Sequence, residues 1–342
     1  MSMDPAMIDA RADGPRFLRG VRSKFASIRP GDHKFSVAVG PTRVHFSARI
    51  VREAKQLLFT FHGAVDRERH KSAPFNGFFP GLHDTHQIAI SDPSLAESRD
   101  FRVAWFAGHA GFDTQYHVRG ALRTIAKALQ IERTIYFGTS AGGFAALYFS
   151  YFAPRSIALV FNPQTHISSY HGTLVTRYRE VCWPALASNE ELDGVTCADL
   201  AALYGQGFRN TVIYNQSMGD RHHAALHMPR FVGALAGKPF ARHFLLHSDY
   251  KGVDGHVSDH PAYLEWVNAV VACPSDDPRD LLKTWHAVRS TSAPVAQATG
   301  APAAPPAAGT PAAAAPAASK ATFRPEDLET ARRLRAFQEA SR

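Results

Sequence analysis

Hydrophobic and polar positions change their spacing repeatedly along the chain, and this change predicts an alternation of strands and helices. From residue 35 to about 273, short β-branched or aromatic runs alternate with segments whose apolar residues recur every three or four positions. The predicted strands are 35–39, 43–50, 56–61, 87–91, 103–107, 134–137, 156–160, 211–215 and 242–247. Such alternation is typical of a largely parallel sheet covered by helices.

Two local patterns refine this prediction. A Gly40-Pro41 turn separates the first two runs, which predicts an antiparallel hairpin ahead of the parallel strands. Between residues 117 and 130, apolar residues recur at intervals of four, three and four, which marks one face of a helix. The sequence therefore predicts a three-layer α/β fold with a mostly parallel sheet.

The two ends of the chain differ from this middle part. Residues 1–34 are polar and basic and predict an N-terminal arm, either flexible or forming a short helix on the main domain, 35–285. Residues 286–321 are predicted to be an Ala/Pro-rich linker, because 291–319 carry no charged side chain and contain many prolines. Residues 322–342 predict a C-terminal helix that either docks on a protein partner or remains a solvated tail.

Composition and charge exclude several classes of partner. With 342 residues, 45% hydrophobic and 20% charged, the chain is long enough for one large core plus appendages. Its 38 basic residues exceed its 30 acidic ones, and the formal charge of +8 favours anionic partners. The basic residues are scattered, and the sequence has no zinc-finger spacing, RNA-binding aromatic motif or long Lys/Arg run, so we expect no nucleic-acid partner.

The cysteines and the apolar runs predict the compartment. Cys182, Cys197 and Cys273 form no C-x-x-C pair and are too few for a disulfide framework, which favours a reducing cytoplasm. The N-terminus lacks an apolar signal region, and no run approaches about 18 apolar residues. We therefore expect a cytoplasmic protein without a membrane span.

The segment around Ser140 has the pattern of a nucleophile on a strand-to-helix turn. The strand 134–137 is followed by Gly138–Gly143, with the spacing G-x-S-x-G, and then by the apolar run 144–149. Small neighbours let the backbone turn sharply and expose the serine Oγ, while the helix that begins at Ala141 directs free amides toward the site. We predict that Ser140 is a catalytic nucleophile; the alternative is an ordinary helix cap.

A second segment predicts the groups that stabilise an oxyanion. The strand 56–61 runs into His62, Gly63 and Ala64. A backbone amide after this strand is placed to bind an oxyanion, so we predict the amides of Ala64 and Ala141 as donors, with Gly63 as the alternative to Ala64. His62 precedes the serine and is assigned to substrate binding or structure rather than to the base; a strand-ending turn is the alternative.

A serine nucleophile needs a base to accept its proton and a carboxylate to orient that base. Asp220 follows the strand 211–215, and His256 follows the strand 242–247, so both lie after strand ends. We predict a triad of Ser140, Asp220 and His256.

Other residues near these strand ends are alternatives to this triad, and some of them could bind a metal. Asp249 and Asp254 are the alternative acids, and His260 is the alternative base. Asp220 also lies close in sequence to several histidines, His222, His223 and His227, and the last two are spaced i, i+4 as metal ligands can be. No Glu completes an H-E-x-x-H motif, so no metal and no cofactor are predicted.

Together these motifs resemble the α/β-hydrolase superfamily of serine hydrolases over about residues 45–272. The resemblance implies a three-layer α/β-hydrolase fold with the chain order serine, acid, histidine. It also implies that the long segment 162–210 is an inserted lid. Arg177 and Tyr178 in this segment would suit a sugar or an anionic group in the substrate site, and packing over the sheet is the alternative.

A narrower similarity rests on the segments Phe59–Ala64, Gly138–Gly143 and Phe161–Thr165. They are similar to segments of bacterial capsular-polysaccharide biosynthesis proteins of the XcbB/CpsF type, and of accessory secretion proteins implicated in glycan O-acetylation. The similarity implies a small-molecule or glycan substrate. The leading hypothesis is a serine hydrolase that acts through an acyl-enzyme on an ester of a carbohydrate or other polar substrate; the alternatives are an O-acyltransferase of bacterial surface-glycan biosynthesis and a non-catalytic binding module.

Overall fold

An eight-stranded sheet lies at the centre of the protein. The structure is a computed structural model that describes residues 11, 13–68, 73–252, 256 and 260–292, with the backbone alone at 260 and 292. The strand order is β1-β2-β4-β3-β5-β6-β7-β8. The strands are β1 (Gly31–Val39), β2 (Thr42–Ile50), β3 (Gln56–Phe61), β4 (Thr85–Ile90), β5 (Arg133–Thr139), β6 (Ile157–Phe161), β7 (Thr211–Ser217) and β8 (Phe244–Asp249).

Most of the sheet is parallel, as the alternation of strands and helices predicts. β1 and β2 form the predicted antiparallel hairpin, and β2 is also antiparallel to β4. All the other neighbouring strands are parallel, so their carboxyl ends meet at one edge of the sheet. There Phe61 pairs with Gly138, and Thr139 pairs with Phe161. This register brings the ends of β3, β5 and β6 together.

Helices cover both faces of the sheet and complete the three layers. They are α1 (Gly14–Ala26), α2 (Thr114–Ala128), α3 (Ala141–Tyr151), α4 (Gly172–Cys182), α5 (Leu192–Val195), α6 (Leu200–Gly205), α7 (Met228–Leu235), α8 (His260–Ala272) and α9 (Pro278–Ser292). One apolar core includes Phe17 of α1 and Phe144 of α3, whereas Trp266 of α8 and Trp285 of α9 belong to a second core. Burial on both faces explains why β4, β6 and β7 have no exposed position. The predicted three-layer α/β architecture is confirmed.

One strand prediction is wrong. Residues 103–107 form a buried loop, in which Trp105 and Phe106 have φ values of 54° and 56°. Such left-handed residues interrupt a strand. The apolar pattern of this segment reflects burial, because Phe106 packs edge-on against Phe61 and Trp105 against Tyr178. The other eight predicted runs overlap the eight strands.

The flanking segments are described only in part. Helix α1 lies within the predicted arm and buries Phe17, Val21 and Phe25. The segment 162–210 between β6 and β7 contains α4, α5 and α6. Residues 293–342, which hold most of the predicted linker and the predicted C-terminal helix, lie outside the described residues. Within the described part of the chain, every helix is too short or too polar to cross a membrane.

Candidate active site

The turn between β5 and α3 holds Ser140 in a strained backbone conformation. Its φ is 54°, in the left-handed region that side chains rarely adopt. A Cβ at Gly138 would overlap the carbonyl of Gly142, and a Cβ at Gly142 would overlap the carbonyl of Phe61. The two glycines therefore let β3, β5 and α3 approach closely enough to form the sharp turn that the G-x-S-x-G spacing predicts.

The side chain of Ser140 bonds a buried glutamine. Its Oγ accepts a hydrogen bond from Gln164 Nε2 at 2.8 Å, and Gln164 Oε1 accepts one from Trp105 Nε1. Ser140 is the N-cap residue of α3, but its side chain does not make the hydrogen bond to the helix amides that the helix-cap alternative requires. Sequence reasoning missed Gln164, although it lies in the segment 161–165 that carried the narrower similarity.

An acid and a histidine meet beyond the ends of β7 and β8. His256 Nδ1 donates to Asp220 Oδ2 at 2.5 Å; Asp220 is buried, and 47% of the His256 side chain is exposed. Burial raises the pKa of Asp220, but hydrogen bonds from His223 and His256 outweigh this effect and hold the pKa well below its usual value. Asp220 is therefore ionised at neutral pH and can orient the imidazole.

The structure describes only one of the three alternative catalytic residues in full. The carboxylate of Asp249 lies 3.4 Å from Lys251 Nζ, and this pair is on the rim of a neighbouring cavity. Asp254 and the side chain of His260 lie outside the described residues. Among the acids that the structure describes, Asp220 is the one whose carboxylate bonds His256.

A cavity of about 420 Å³ brings most of the predicted site residues together. His62, Gly63, Ala64, Ser140 and His256 all line it. No hydrogen bond joins Ser140 Oγ to His256 within the described residues, although both line this cavity. Catalytic hydrogen bonds are often long or unformed before substrate binds, so this arrangement is compatible with proton transfer between the two residues in a substrate complex.

The loop after β3 positions one predicted oxyanion donor. A Cβ at Gly63 would lie 3.1 Å from the carbonyl oxygen of Thr139, so the loop packs against the elbow. His62 Nδ1 donates to the Gly63 carbonyl at 2.8 Å, and its Nε2 accepts from the Asp92 amide at 3.1 Å. Because the C=O and N–H of one peptide point in opposite directions, His62 fixes the direction of the Ala64 amide. This positioning role is one that the sequence did not predict for His62.

The structure does not bring Arg177 and Tyr178 into this cavity. Tyr178 is fully buried, where its hydroxyl donates to the Gly108 carbonyl at 2.7 Å and accepts from Trp183 Nε1 at 3.0 Å. Arg177 is half exposed and faces Asp100 at 3.5 Å. Neither is among the described residues that line the cavity. The contacts of Tyr178 are those of a residue that packs the segment 162–210 against the loop 103–110.

The acid also contacts His223, one of the histidines that the sequence offers as possible metal ligands. His223 Nδ1 donates to Asp220 Oδ1 at 2.9 Å. Asp220, His223 and His256 form the one group of described residues whose potential metal-ligating atoms lie within 4.8 Å of one another. The other two histidines of that hypothesis are engaged elsewhere: His227 Nδ1 accepts from the Thr165 amide at 3.2 Å, and the His222 ring stacks on His171.

Comparison with known proteins gives a fold but no sequence family. No protein-family model and no curated protein matches the chain. Solved structures do match it. The capsule O-acetyltransferase of Neisseria meningitidis serogroup A is 16% identical, with a TM-score of 0.50, over 69% of this chain and 93% of that one.

Two further structures cover a similar share of this chain. The Glycosylation Associate Protein (Gap123) complex from Streptococcus agalactiae is 15% identical, with a TM-score of 0.48, over 68% of this chain and 44% of that one. An acylaminoacyl peptidase of Pyrococcus horikoshii is 12% identical, with a TM-score of 0.46, over 68% of this chain and 39% of that one. At such identities a likeness shows a shared fold alone. Together with the mostly parallel eight-stranded sheet and the elbow after β5, the likeness to the capsule O-acetyltransferase structure shows that this chain has the α/β-hydrolase fold.

Proposed function

We propose that this protein is a serine hydrolase that cleaves an ester through an acyl-enzyme on Ser140. One observation carries the proposal: the strained Ser140 lines the same cavity as His256, whose Nδ1 is bonded to the buried Asp220. A serine hydroxyl is a weak nucleophile unless a base accepts its proton, and a carboxylate must fix the tautomer of that base. In this proposal Ser140 is the nucleophile, His256 is the base and Asp220 is the orienting carboxylate.

In the proposed reaction, His256 Nε2 takes the proton of Ser140 Oγ while Oγ attacks the carbonyl carbon of the ester. The oxyanion that forms is held by the amides of Ala141, at the start of α3, and of Ala64. The intermediate expels the alcohol, which takes the proton from His256, and an acyl-enzyme remains. Water then attacks the acyl carbon by the same route and releases the acid.

The cavity supports a polar substrate. Besides the site residues it is lined by Asp66, Asn76 and Asn162, which make part of its wall polar; Asn76 Nδ2 donates to the Phe61 carbonyl, and Asn162 Oδ1 accepts from the Ser217 amide. A carbohydrate ester fits this lining. Transfer of the acyl group to a sugar hydroxyl is the second candidate, because one structural neighbour is a capsule O-acetyltransferase. It differs from hydrolysis only in the group that attacks the acyl-enzyme.

The test is labelling with a fluorophosphonate probe, read by intact mass and peptide mapping. Wild type should be labelled at Ser140, and Ser140→Ala and His256→Ala should not be labelled. Ser23→Ala and His83→Ala are matched controls on exposed positions and should be labelled like wild type. Folded wild type that resists the probe would favour a non-catalytic module.

A second measurement separates the two candidate reactions. Hydrolysis of 4-nitrophenyl acetate is followed with and without a sugar alcohol as acceptor. Release of acetate alone supports a hydrolase. Acetylated sugar formed in preference to acetate, and lost in Ser140→Ala, supports O-acyl transfer.

A further inference from the structure

Asp220 carries two imidazoles, one on each carboxylate oxygen. Oδ2 accepts from His256 Nδ1 at 2.5 Å, and Oδ1 accepts from His223 Nδ1 at 2.9 Å. Oδ1 also accepts from the backbone amide of His223 at 3.2 Å. An ionised carboxylate only accepts hydrogen bonds, so both rings present Nδ1–H to it. A Ser-His-Asp mechanism needs only the first of these rings, and the second is therefore unexplained by the proposed reaction.

His223 touches the candidate base as well as the acid. Its ring lies almost parallel to the His256 ring, with centroids 4.5 Å apart and an interplanar angle of 14°. His223 is 2% exposed, and its Nε2 has no hydrogen-bond partner among the described residues. Nδ1, which faces Asp220, is thus the ring nitrogen of His223 that makes a hydrogen bond. Burial lowers the pKa of His223, against the pull of Asp220, so a neutral ring lies beside His256.

We propose that His223 is a positioning residue, which holds the Asp220 carboxylate by a second hydrogen bond and holds the His256 ring by stacking. The inference rests on the proposed function, since it assigns His256 as the base. The bond to Oδ1 prevents the carboxylate from rotating, so that Oδ2 stays directed at His256. It also withdraws part of the negative charge from His256, because the charge is shared between two donors.

Other titratable groups surround this pair and define the controls. His222 and His227 face His223 with ring centroids at 5.5 Å and 5.1 Å, and Tyr170 lies at 6.0 Å. The charge of His171 also acts on His223. Burial and, to a smaller extent, the charge of Asp220 raise the pKa of Tyr214. Of these, His222 is the best control, because it lies in the same cluster without a hydrogen bond to Asp220.

Two variants separate the hydrogen bond from the stacking. His223→Asn keeps an N–H donor close to the position of Nδ1 and loses the ring, whereas His223→Phe keeps a ring and loses the donor. Without the donor, more negative charge acts on the His256 imidazolium. The midpoint of the His256 ring signals, followed by NMR against pH in histidine-labelled full-length protein, should then lie higher in His223→Phe than in wild type. It should move far less in His223→Asn, and not at all in the control His222→Asn.

Fluorophosphonate labelling gives the kinetic readout. A base must be neutral to accept the serine proton, so the acid limb of labelling rate against pH should move upward in His223→Phe, with the same sign as the NMR midpoint. The maximal rate should fall about tenfold or more in both variants. His223→Phe that is folded, titrates like wild type and is labelled like wild type overturns the proposal.

Two further results keep the inference apart from the proposed function. Wild type that resists the probe, while the His256 midpoint still rises in His223→Phe, would reject the serine hydrolase and leave the positioning contact in place. Ring nitrogen shifts of His223 in wild type need no variant. The neutral Nδ1–H tautomer is expected, and an Nε2–H tautomer would overturn the inference even where both variants fail to fold.

Discussion

The two halves of the candidate site are held by different means. Around Ser140, the backbone sets the geometry: glycines at 138 and 142 allow close approach, and the strain lies in the φ of the serine itself. Around His256, side chains set the geometry, because Asp220 and His223 hold a ring that is 47% exposed. Substitutions in the first half should therefore act through stability, and those in the second through activity with the fold retained.

The largest effect is expected at the acid. In Asp220→Asn, the amide can present N–H instead of an acceptor to His256 Nδ1, which favours the wrong tautomer of the base. The labelling rate should fall about 10,000-fold, as for a triad acid replaced by its amide, while the far-UV spectrum stays that of wild type. Asp249→Asn is the matched control, since Asp249 pairs with Lys251, and it should react like wild type. An equal loss in both variants would contradict the assignment of the acid.

The next effect concerns the backbone half. In Gly142→Ala, the new Cβ would overlap the carbonyl oxygen of Phe61, and neither backbone can move without opening the sheet. Unfolding free energy, measured with urea, should fall by about 4 kcal/mol or more. Gly233→Ala is the matched helical control with nothing near its Cβ, and it should gain about 0.5 kcal/mol. Similar stabilities in the two variants would show that the backbone around Gly142 has room for a Cβ.

Two buried carboxylates, Asp92 and Asp220, should change the stability of the protein with pH in opposite directions. Asp92 accepts hydrogen bonds from the neutral amides of Phe106 at 2.6 Å and Ser94 at 3.0 Å, whereas the donors to Asp220 are mostly imidazoles. Burial raises the pKa of Asp92 to about 6, and these hydrogen bonds only partly offset it. The native state therefore binds a proton on Asp92 that the unfolded state has released between about pH 4 and pH 6.

The sign of the Asp92 effect follows from this proton. Stability from Asp92 is complete below about pH 4 and is lost as pH rises to about 6, a loss of about 3 kcal/mol. Asp220, with its lowered pKa, contributes stability above the unfolded pKa and loses it as pH falls further. Buried histidines whose pKa is lowered, such as His222 and His227, gain stability over the same pH range, so the Asp92 effect is measured as a difference. In urea titrations from pH 4 to pH 7, the free energy of unfolding of wild type should fall by about 3 kcal/mol relative to that of Asp92→Asn. Equal slopes in both proteins would exclude Asp92 as its source.

The difference between a half that the backbone holds and a half that side chains hold also explains what the sequence could predict. The elbow was predictable because it is local: a strand, a glycine two residues before and after the serine, and a helix follow one another along the chain. The order of the other motifs predicted the sheet and the placement of Asp220 and His256 after strand ends. These features depend on backbone preferences and on periodicity, which a single sequence displays.

Contacts between distant segments were not predictable in the same way. Gln164 lies 24 positions from Ser140 in the chain, and Trp105, which also bonds Gln164, lies 59 positions from Gln164. The run 103–107 has the apolar pattern of a strand, but the cause of this pattern is burial against Phe61 and Tyr178. The sequence displays the chemistry of Tyr178, which suits a substrate site, but it does not display the burial of this side chain.

The smallest effect, at Gln164, tests whether side chains also contribute to the backbone half. Gln164→Met keeps the volume and removes the donor to Ser140 Oγ, and it leaves Trp105 Nε1 unpaired in a buried place. The unpaired donor should cost about 1–2 kcal/mol of unfolding free energy. Gln115→Met is the matched control, because Gln115 is also buried and bonds both backbone groups of Cys197 far from the serine. It should lose similar stability. If Gln164 orients the nucleophile, labelling of Ser140 should slow about tenfold in Gln164→Met alone. If labelling slows equally in both or in neither, Gln164 only packs the core, and the elbow needs no side chain beyond its own.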